Sequence, residues 1–559
     1  MGRKIEEIFM PPVKPIDPLE GPKLALAGRI VAMDEAFTVI PRGVVYIEKG
    51  SIVAVLDAVA PKPSGFESIP VVETKGTLFP GLIELHNHLS YNTLPLWDVP
   101  KSFTNRDQWA GTDEYRKLVS GPMQVVGSTP DLIPPLVHYV ECKSLVGGVT
   151  TSQGIQLFSN TGIRRFYRGI VRNVEQTDEQ DLPEAATRIA DLEARDAKLF
   201  FARLLKQSCF LLHLSEGIDK ATRQHFLALR ISDHEWAIAK QLAGIHSTAL
   251  TPEDFDIVAE KQGAMVWSPL SNLLLYGDTA KVKAAKSAGV RIGIGSDWSP
   301  SGSKNLLGEL KVARLVSQAQ GGIFSDREVL NLATRGAASI LQWEKVLGSL
   351  EPGKRADIVV IEGRDGDPYA CLLEAKETSI RLVMINGTAR YGTPSLMERL
   401  GASGERIRVG GRARILYLKQ ATADPAVEAI SLQEARNKLR EAFHRLPQLA
   451  RDLEEPPRTP KTVGLSGVKR KGESLVWLLA LDELHDTGFG LRPRLPLGGR
   501  MDFTGPERVA ARTAEPLSTI LEPLELDPLT VADDAKFLEK IGKERNLPEF
   551  IKTDLKNLY

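Results

Sequence analysis

Residues 79–92 read Phe-Pro-Gly-Leu-Ile-Glu-Leu-His-Asn-His-Leu-Ser-Tyr-Asn, an apolar run that delivers two histidines separated by one residue. Side chains along a β-strand repeat every two residues, so His86 and His88 project from one face. Neutral imidazole is the commonest biological metal ligand, and two on one rigid face supply half of a metal site. The Pro80-Gly81 break and the apolar Leu82, Ile83 and Leu85 predict that this strand is buried. Surface strands also carry such pairs by chance, so the rest of the chain decides.

Three later runs repeat the pattern. Ser-Cys-Phe-Leu-Leu-His-Leu-Ser-Glu-Gly (208–217) is an apolar strand ending in His213, with Glu216 three positions on. Ala-Gly-Ile-His-Ser-Thr (243–248) brings His246 to the end of a short strand, and Val-Arg-Ile-Gly-Ile-Gly-Ser-Asp-Trp (290–298) delivers Asp297. Each candidate sits at the C-terminal end of a predicted strand, before a turn and a helix. That is where a (β/α)8 barrel collects its catalytic groups.

These motifs resemble the amidohydrolase superfamily. Pro80 to His88 is similar to that family's Pro-Gly-Leu-Ile-Asp-x-His-x-His, with Glu84 where aspartate is common. Gly147-Gly148-Val149-Thr150-Thr151 resembles its second-strand motif, Trp267-Ser268-Pro269-Leu270-Ser271-Asn272 the segment after its seventh strand, and Gly295-Ser296-Asp297 its eighth. Leu347 to Ile358 resembles the family's return into a small β domain. The motifs keep the family's order and cover roughly residues 22 to 395.

The fold implied is α/β, a (β/α)8 TIM-like barrel with a small composite β-sandwich domain and a C-terminal extension. Boundaries follow from composition: an arm over 1–21, the first part of the β domain over 22–80, the barrel over 81–344, the second part over 345–397 and the extension over 398–559. The alternation of Val44 to Val55 predicts a hairpin turning at Gly50. Thr251-Pro252-Glu253-Asp254, Ser325 to Glu328 and Ser431 to Glu434 read as helix starts. The basic run Lys469-Arg470-Lys471 reads as a solvated loop.

By the resemblance, His86, His88, His213 and Asp297 hold one divalent metal per chain, zinc or iron. Asp297 takes a proton from water, His246 stands beside the metal shell and Glu216 acts as general acid. Dinuclear relatives bridge their metals with a carboxylated lysine on the fourth strand. Between Thr151 and His213 no lysine lies in an apolar strand, and Lys198 and Lys206 fall in a helical pattern, which favours one metal. That interval holds one clear strand, around Tyr167 to Asn173, so the fourth strand is expected to be reduced. Tyr91, Trp97 and Trp298 are the expected substrate contacts; Asn92, Asp98, Arg106 and Trp109 share the segment after the first barrel strand. His138, His225, His234, His444 and His485 read as packing or surface residues.

The expected function is hydrolysis of a carbon–nitrogen bond other than a peptide, in the first place hydrolytic deamination of an amino-substituted heterocycle. Opening of a cyclic amide, as in imidazolonepropionase, is the alternative within the superfamily. A catalytically inactive barrel serving as a scaffold is the alternative of another class. Lys+Arg and Asp+Glu both total 71, so no global field draws nucleic acid or membranes, and a small-molecule substrate is the expected partner. A homo-oligomer stays open. Cys142, Cys209 and Cys371 form neither a disulfide framework nor a Cys-x-x-Cys motif. With no apolar signal core after Met1 and no run long enough to span a bilayer, a cytoplasmic location is expected.

Overall fold

The computed structural model describes residues 21–154, 156–159, 164–166, 169–177, 179–188, 192–194, 196–420, 425–454, 477–479, 491–493 and 515–559. Residues 1–20 of the expected arm, the Lys469–Lys471 run and His485 lie outside them.

Four strands open the described chain: β1 (Leu24–Val31), β2 (Val39–Glu48), β3 (Ser51–Asp57) and β4 (Val71–Pro80). Eight short strands used for the site follow: β5 (Leu82–Glu84), β6 (Val149–Ser152), β7 (Arg172–Asn173), β8 (Ala185–Arg188), β9 (Cys209–Leu214), β10 (Leu242–His246), β11 (Ala264–Trp267) and β12 (Arg291–Ile294). Five more belong to the largest sheet: β13 (Ile358–Glu362), β14 (Ile380–Ile385), β15 (Thr388–Gly392), β16 (Glu405–Val409) and β17 (Arg412–Leu416).

β1–β4 and β13–β17 form one nine-stranded sheet, ordered β16-β17-β15-β14-β13-β4-β1-β2-β3. The join is direct: β13 pairs antiparallel with β4, Ile358 opposite Pro80 and Glu362 opposite Gly76. The strands are thus bonded as a single sheet where a β-sandwich was expected, because the returning chain continues the edge that β4 leaves open. The sheet also runs past residue 397, since β17 pairs with β15 at Tyr391–Leu416. The hairpin turns at Gly50, whose φ of 73° suits glycine.

The eight strands used for the site make two parallel sheets, β5-β6-β7 and β8-β9-β10-β11-β12. Backbone hydrogen bonds link them at both edges. Ala185 N–H donates to Val174 O at 2.8 Å, and Leu85 N–H donates to Ile294 O at 3.2 Å. The interval from Thr151 to His213, expected to hold one clear strand, holds several short ones among the described residues, β7 and the four-residue β8 included. Period-two alternation splits the strands between two cores. Cys209, Leu211, Ala243, Ile245 and Val266 pack into one. Phe210, Leu212 and Leu214 join the helices in the other.

Helices needed below are α1 (Arg106–Ala110), α2 (Ile133–Val146), α3 (Pro269–Tyr276), α4 (Leu306–Ala319), α5 (Ala535–Lys543) and α6 (Glu549–Asn557). The last two belong to the extension. α6 packs on α4, and Phe537, Ile541, Ile551 and Leu555 enter the main core. Among the described residues, no helix is long and apolar enough to cross a membrane.

One buried acid in this packing carries a pH prediction. Glu309 of α4 accepts the N–H of Leu270 at 3.0 Å and the hydroxyl of Ser303. Burial pushes its carboxyl from 4.5 up to about 8. The unfolded chain releases this proton first, so the stability it contributes is full below 4.5 and is lost as pH rises through about 8. Thermal melts of Glu309→Gln are therefore expected to decline less than wild type between pH 5 and 8. Parallel declines would assign that pH dependence to other groups.

Candidate metal centre

The site forms where the parallel strands end. Beyond β5 the chain bends at Leu85, and Asn87 bridges to Asp297 in parallel fashion. His86 Nε2 and His88 Nε2 lie 3.0 and 3.2 Å from Asp297 Oδ1. This approach depends on Gly295, because a Cβ there would sit 2.4 Å from His86 O. The His213 ring lies 4.7 Å from that of His86 and 5.6 Å from that of His88. His246 follows at 5.2 Å from His86 and 5.0 Å from His213. All are buried.

The turns after these strands are sharp. Ser215, His246, Ser247 and Asp297 have φ of 56°, 65°, 52° and 64°. Left-handed backbone at non-glycine residues costs of order 1–3 kcal/mol each and persists where its surroundings enforce it. The turn at Ser215 matters most. A continuing strand would put Glu216 on the face opposite His213; instead β9 stops at Leu214 and Glu216 Oε2 lies 4.0 Å from His246 Nε2.

Hydrogen bonds set the polarity of His86. The Asn87 backbone N–H donates to Gln153 Oε1 at 3.0 Å, which identifies that atom as oxygen. His86 Nδ1, 3.1 Å from the same oxygen, must then carry the hydrogen. Burial holds the imidazole below its usual pKa, so it is neutral and Nε2 is a bare lone pair. That nitrogen is buried without a hydrogen-bond partner among the described residues while facing the Asp297 carboxylate. Electron pairs converging at 3.0 Å fit a cation between them better than a direct contact. Imidazole nitrogens and a carboxylate oxygen suit zinc or another borderline divalent ion.

Other side chains brace this centre. Ser271 Oγ donates to Asp297 Oδ2 at 2.6 Å. Trp109 Nε1–H donates to the Tyr276 hydroxyl at 2.9 Å, and Tyr276 O–H donates to Glu216 Oε1 at 2.8 Å. Arg106 Nη1 lies 3.3 Å from Glu216 Oε2. An aromatic wall stands beside His88: Trp298 at 5.0 Å and Tyr91 at 6.1 Å, with Trp109 and Tyr115 against Trp298 at 6.0 and 6.2 Å.

The structure thus brings His86, His88, His213, Glu216, His246, Asp297, Tyr91 and Trp298 together. It sets Trp97, an expected substrate contact, against Phe103 and Tyr115 at 6.5 and 5.8 Å, with Tyr115 between it and Trp298. Gln153, Ser271, Asn272 and Tyr276 were given no role from sequence. The latter three lie in or just beyond the Trp267–Asn272 motif, and Gln153 follows the second-strand motif by two residues, so position was the available signal. His138 is buried on α2, and His234 and His444 are exposed.

Residues 212–390 match the model of the amidohydrolase family. The chain is 31% identical over 189 residues to the 5-methylthioadenosine/S-adenosylhomocysteine deaminase of Desulforudis audaxviator, covering 33% of this chain and 43% of that protein. It is 25% identical over 366 residues to the enzyme of the same name from Moorella thermoacetica, covering 58% and 84%. The chain belongs to the amidohydrolase superfamily. It is a hydrolase of that superfamily, and a solved member has the same fold. That structure is atrazine chlorohydrolase from Arthrobacter aurescens complexed with zinc. It superposes with a TM-score of 0.52 at 21% identity, over 66% of this chain and 94% of that one.

Proposed function

We propose that this amidohydrolase removes ammonia from an amino-substituted heterocycle of the aminopurine class by metal-assisted hydrolysis. The observation that carries the reading is the convergence of His86, His88, His213 and Asp297, with Glu216 and His246 4.0 Å apart beside them. The deaminase names of the relatives, and the aromatic wall of Tyr91 and Trp298 suited to a flat ring, support it. The linked parallel sheets are read as a (β/α)8 barrel whose C-terminal end holds the site.

His86, His88, His213 and Asp297 would hold one divalent ion. When bound, such an ion acidifies water, lowering its pKa toward about 7. Asp297 takes the proton as water adds to the ring carbon, and that proton later leaves with ammonia. Glu216 delivers a proton to the adjacent ring nitrogen. Because Glu216 accepts hydrogen bonds from Tyr276 and Arg106 in the resting site, it acquires that proton within the cycle. Addition forms the carbon–oxygen bond first; the carbon–nitrogen bond then breaks as the Asp297 proton joins the leaving amine, and the proton of the added hydroxyl passes to Glu216 as the ring carbonyl forms, so the balance is one water consumed and one ammonia released.

The test is ammonia release from a panel of aminopurines and their nucleosides by zinc-loaded protein. Glu216→Gln is expected to keep its metal and lose roughly 10²–10⁴ in kcat. Unchanged turnover would remove Glu216 from the chemistry. Ring opening of a cyclic amide without ammonia would replace deamination with the rival hydrolysis.

A further inference from the structure

Indole N–H groups only donate, so a hydrogen-bond chain that begins on tryptophan has a fixed direction. Trp267 Nε1–H donates to Thr279 Oγ1 at 2.7 Å, and both residues are buried. The Thr279 hydroxyl passes its own hydrogen to Asn272 Oδ1 at 3.4 Å. With its oxygen taken in this way, the Asn272 amide turns Nδ2 toward His246 Nδ1 at 3.0 Å. An NH₂ group can only donate there, so Nδ1 is the acceptor and the single hydrogen of the neutral ring sits on Nε2. That Nε2 is buried without a hydrogen-bond partner among the described residues and faces the site, 4.0 Å from Glu216 Oε2.

We infer that Trp267, Thr279 and Asn272 are positioning residues that lock His246 in the tautomer presenting Nε2–H to the site. Two consequences follow. His246 lies close enough to His86 and His213 to be counted with them as a ligand group, yet a nitrogen bearing hydrogen does not ligate. The relay therefore keeps His246 out of the metal shell and leaves the shell to His86, His88, His213 and Asp297. The same Nε2–H is a preorganised donor toward an oxygen that gains negative charge during hydrolysis, which rests on the proposed deamination. His86 is the opposite case, its hydrogen held on Nδ1 by Gln153. Two histidines of one site are set to opposite tautomers by two amides.

The experiment is ¹⁵N NMR of ¹⁵N-histidine-labelled, zinc-loaded protein, in which hydrogen-bearing and bare ring nitrogens resonate apart, with His246 assigned from a His246→Gln sample. Wild type is expected to show a bare Nδ1 and a hydrogen-bearing Nε2 at His246. Asn272→Asp replaces the donor by a carboxylate that accepts from Nδ1, and should reverse the pattern. Thr279→Ser keeps the relay and should retain the wild-type pattern; Thr279→Val should lose it. A wrong tautomer in a catalytic histidine costs about 10⁴ in kcat in the serine-protease triad, so Asn272→Asp is expected to lose roughly 10²–10⁴ in kcat at near-constant KM. A hydrogen on Nδ1 in wild type, or an unchanged pattern in Asn272→Asp, would overturn the inference. The spectra need no substrate, so a wrong substrate class leaves this result standing.

Discussion

His88→Ala is expected to emerge from purification with far less than one equivalent of divalent metal and with turnover at background. His88 Nε2 is 3.2 Å from Asp297 Oδ1, and its ring neighbours both His86 and His213, so its removal opens the donor set at the centre. An outer partner is a gentler loss. Gln153→Ala, which frees His86 to rotate and change tautomer, should weaken metal binding by about 10–100-fold. His88→Ala should exceed that range in chelator competition. A variant retaining a full equivalent at wild-type affinity would place the metal elsewhere.

Asp527→Ala is expected to destabilise the fold by about 3–5 kcal/mol, because it leaves two buried ammonium groups without their shared counter-charge. Asp527 bonds both Lys143 of α2 and Lys304, and all three are at most 3% exposed. Lys304 also pairs with Asp534 at 2.7 Å. Lys143 further donates to Asn92 O at 2.8 Å and Ser299 Oγ at 2.9 Å, next to Tyr91 and Trp298. Tyr139 O–H and Asp527 N–H add bonds to Asp527 O at 2.6 Å and Thr93 O at 2.9 Å. This latch ties the C-terminal segment to both loops that carry the aromatic wall. Urea denaturation should show the loss as a lower midpoint. In a double-mutant cycle with Lys304→Met, the two changes should fall well short of additive. Additivity would mean that the residues do not act as a pair.

How far the site could be read from sequence depends on chain separation. His86, His88, His213, His246 and Asp297 are legible because each follows an apolar run, although β5 ends at Glu84 and the bridge of Asn87 to Asp297, not strand period, brings His86 and His88 to the site. Glu216 was legible only as a condition, met by the left-handed turn at Ser215. Which aromatic of the long connection after β5 stands against Trp298 was not legible, because that connection packs by tertiary contacts; Tyr91, Trp109 and Tyr115 do, and Trp97 packs on Tyr115. The join of β13 to β4 needed a pairing of residues 278 positions apart, Ile358 with Pro80.

The superfamily, the parallel α/β core and the residue types able to hold a metal were all legible along the chain, since short-range periodicity and strand-end motifs encode them. The polarity of His86 and His246, the bracing of Glu216 by Tyr276 and Arg106, and the docking of the C-terminal segment through Asp527 emerged from the folded chain. Those depend on which atoms meet across distant segments. Hydrogen-bond direction and buried charge pairing are properties of the meeting atoms, and no local pattern along the chain carries them.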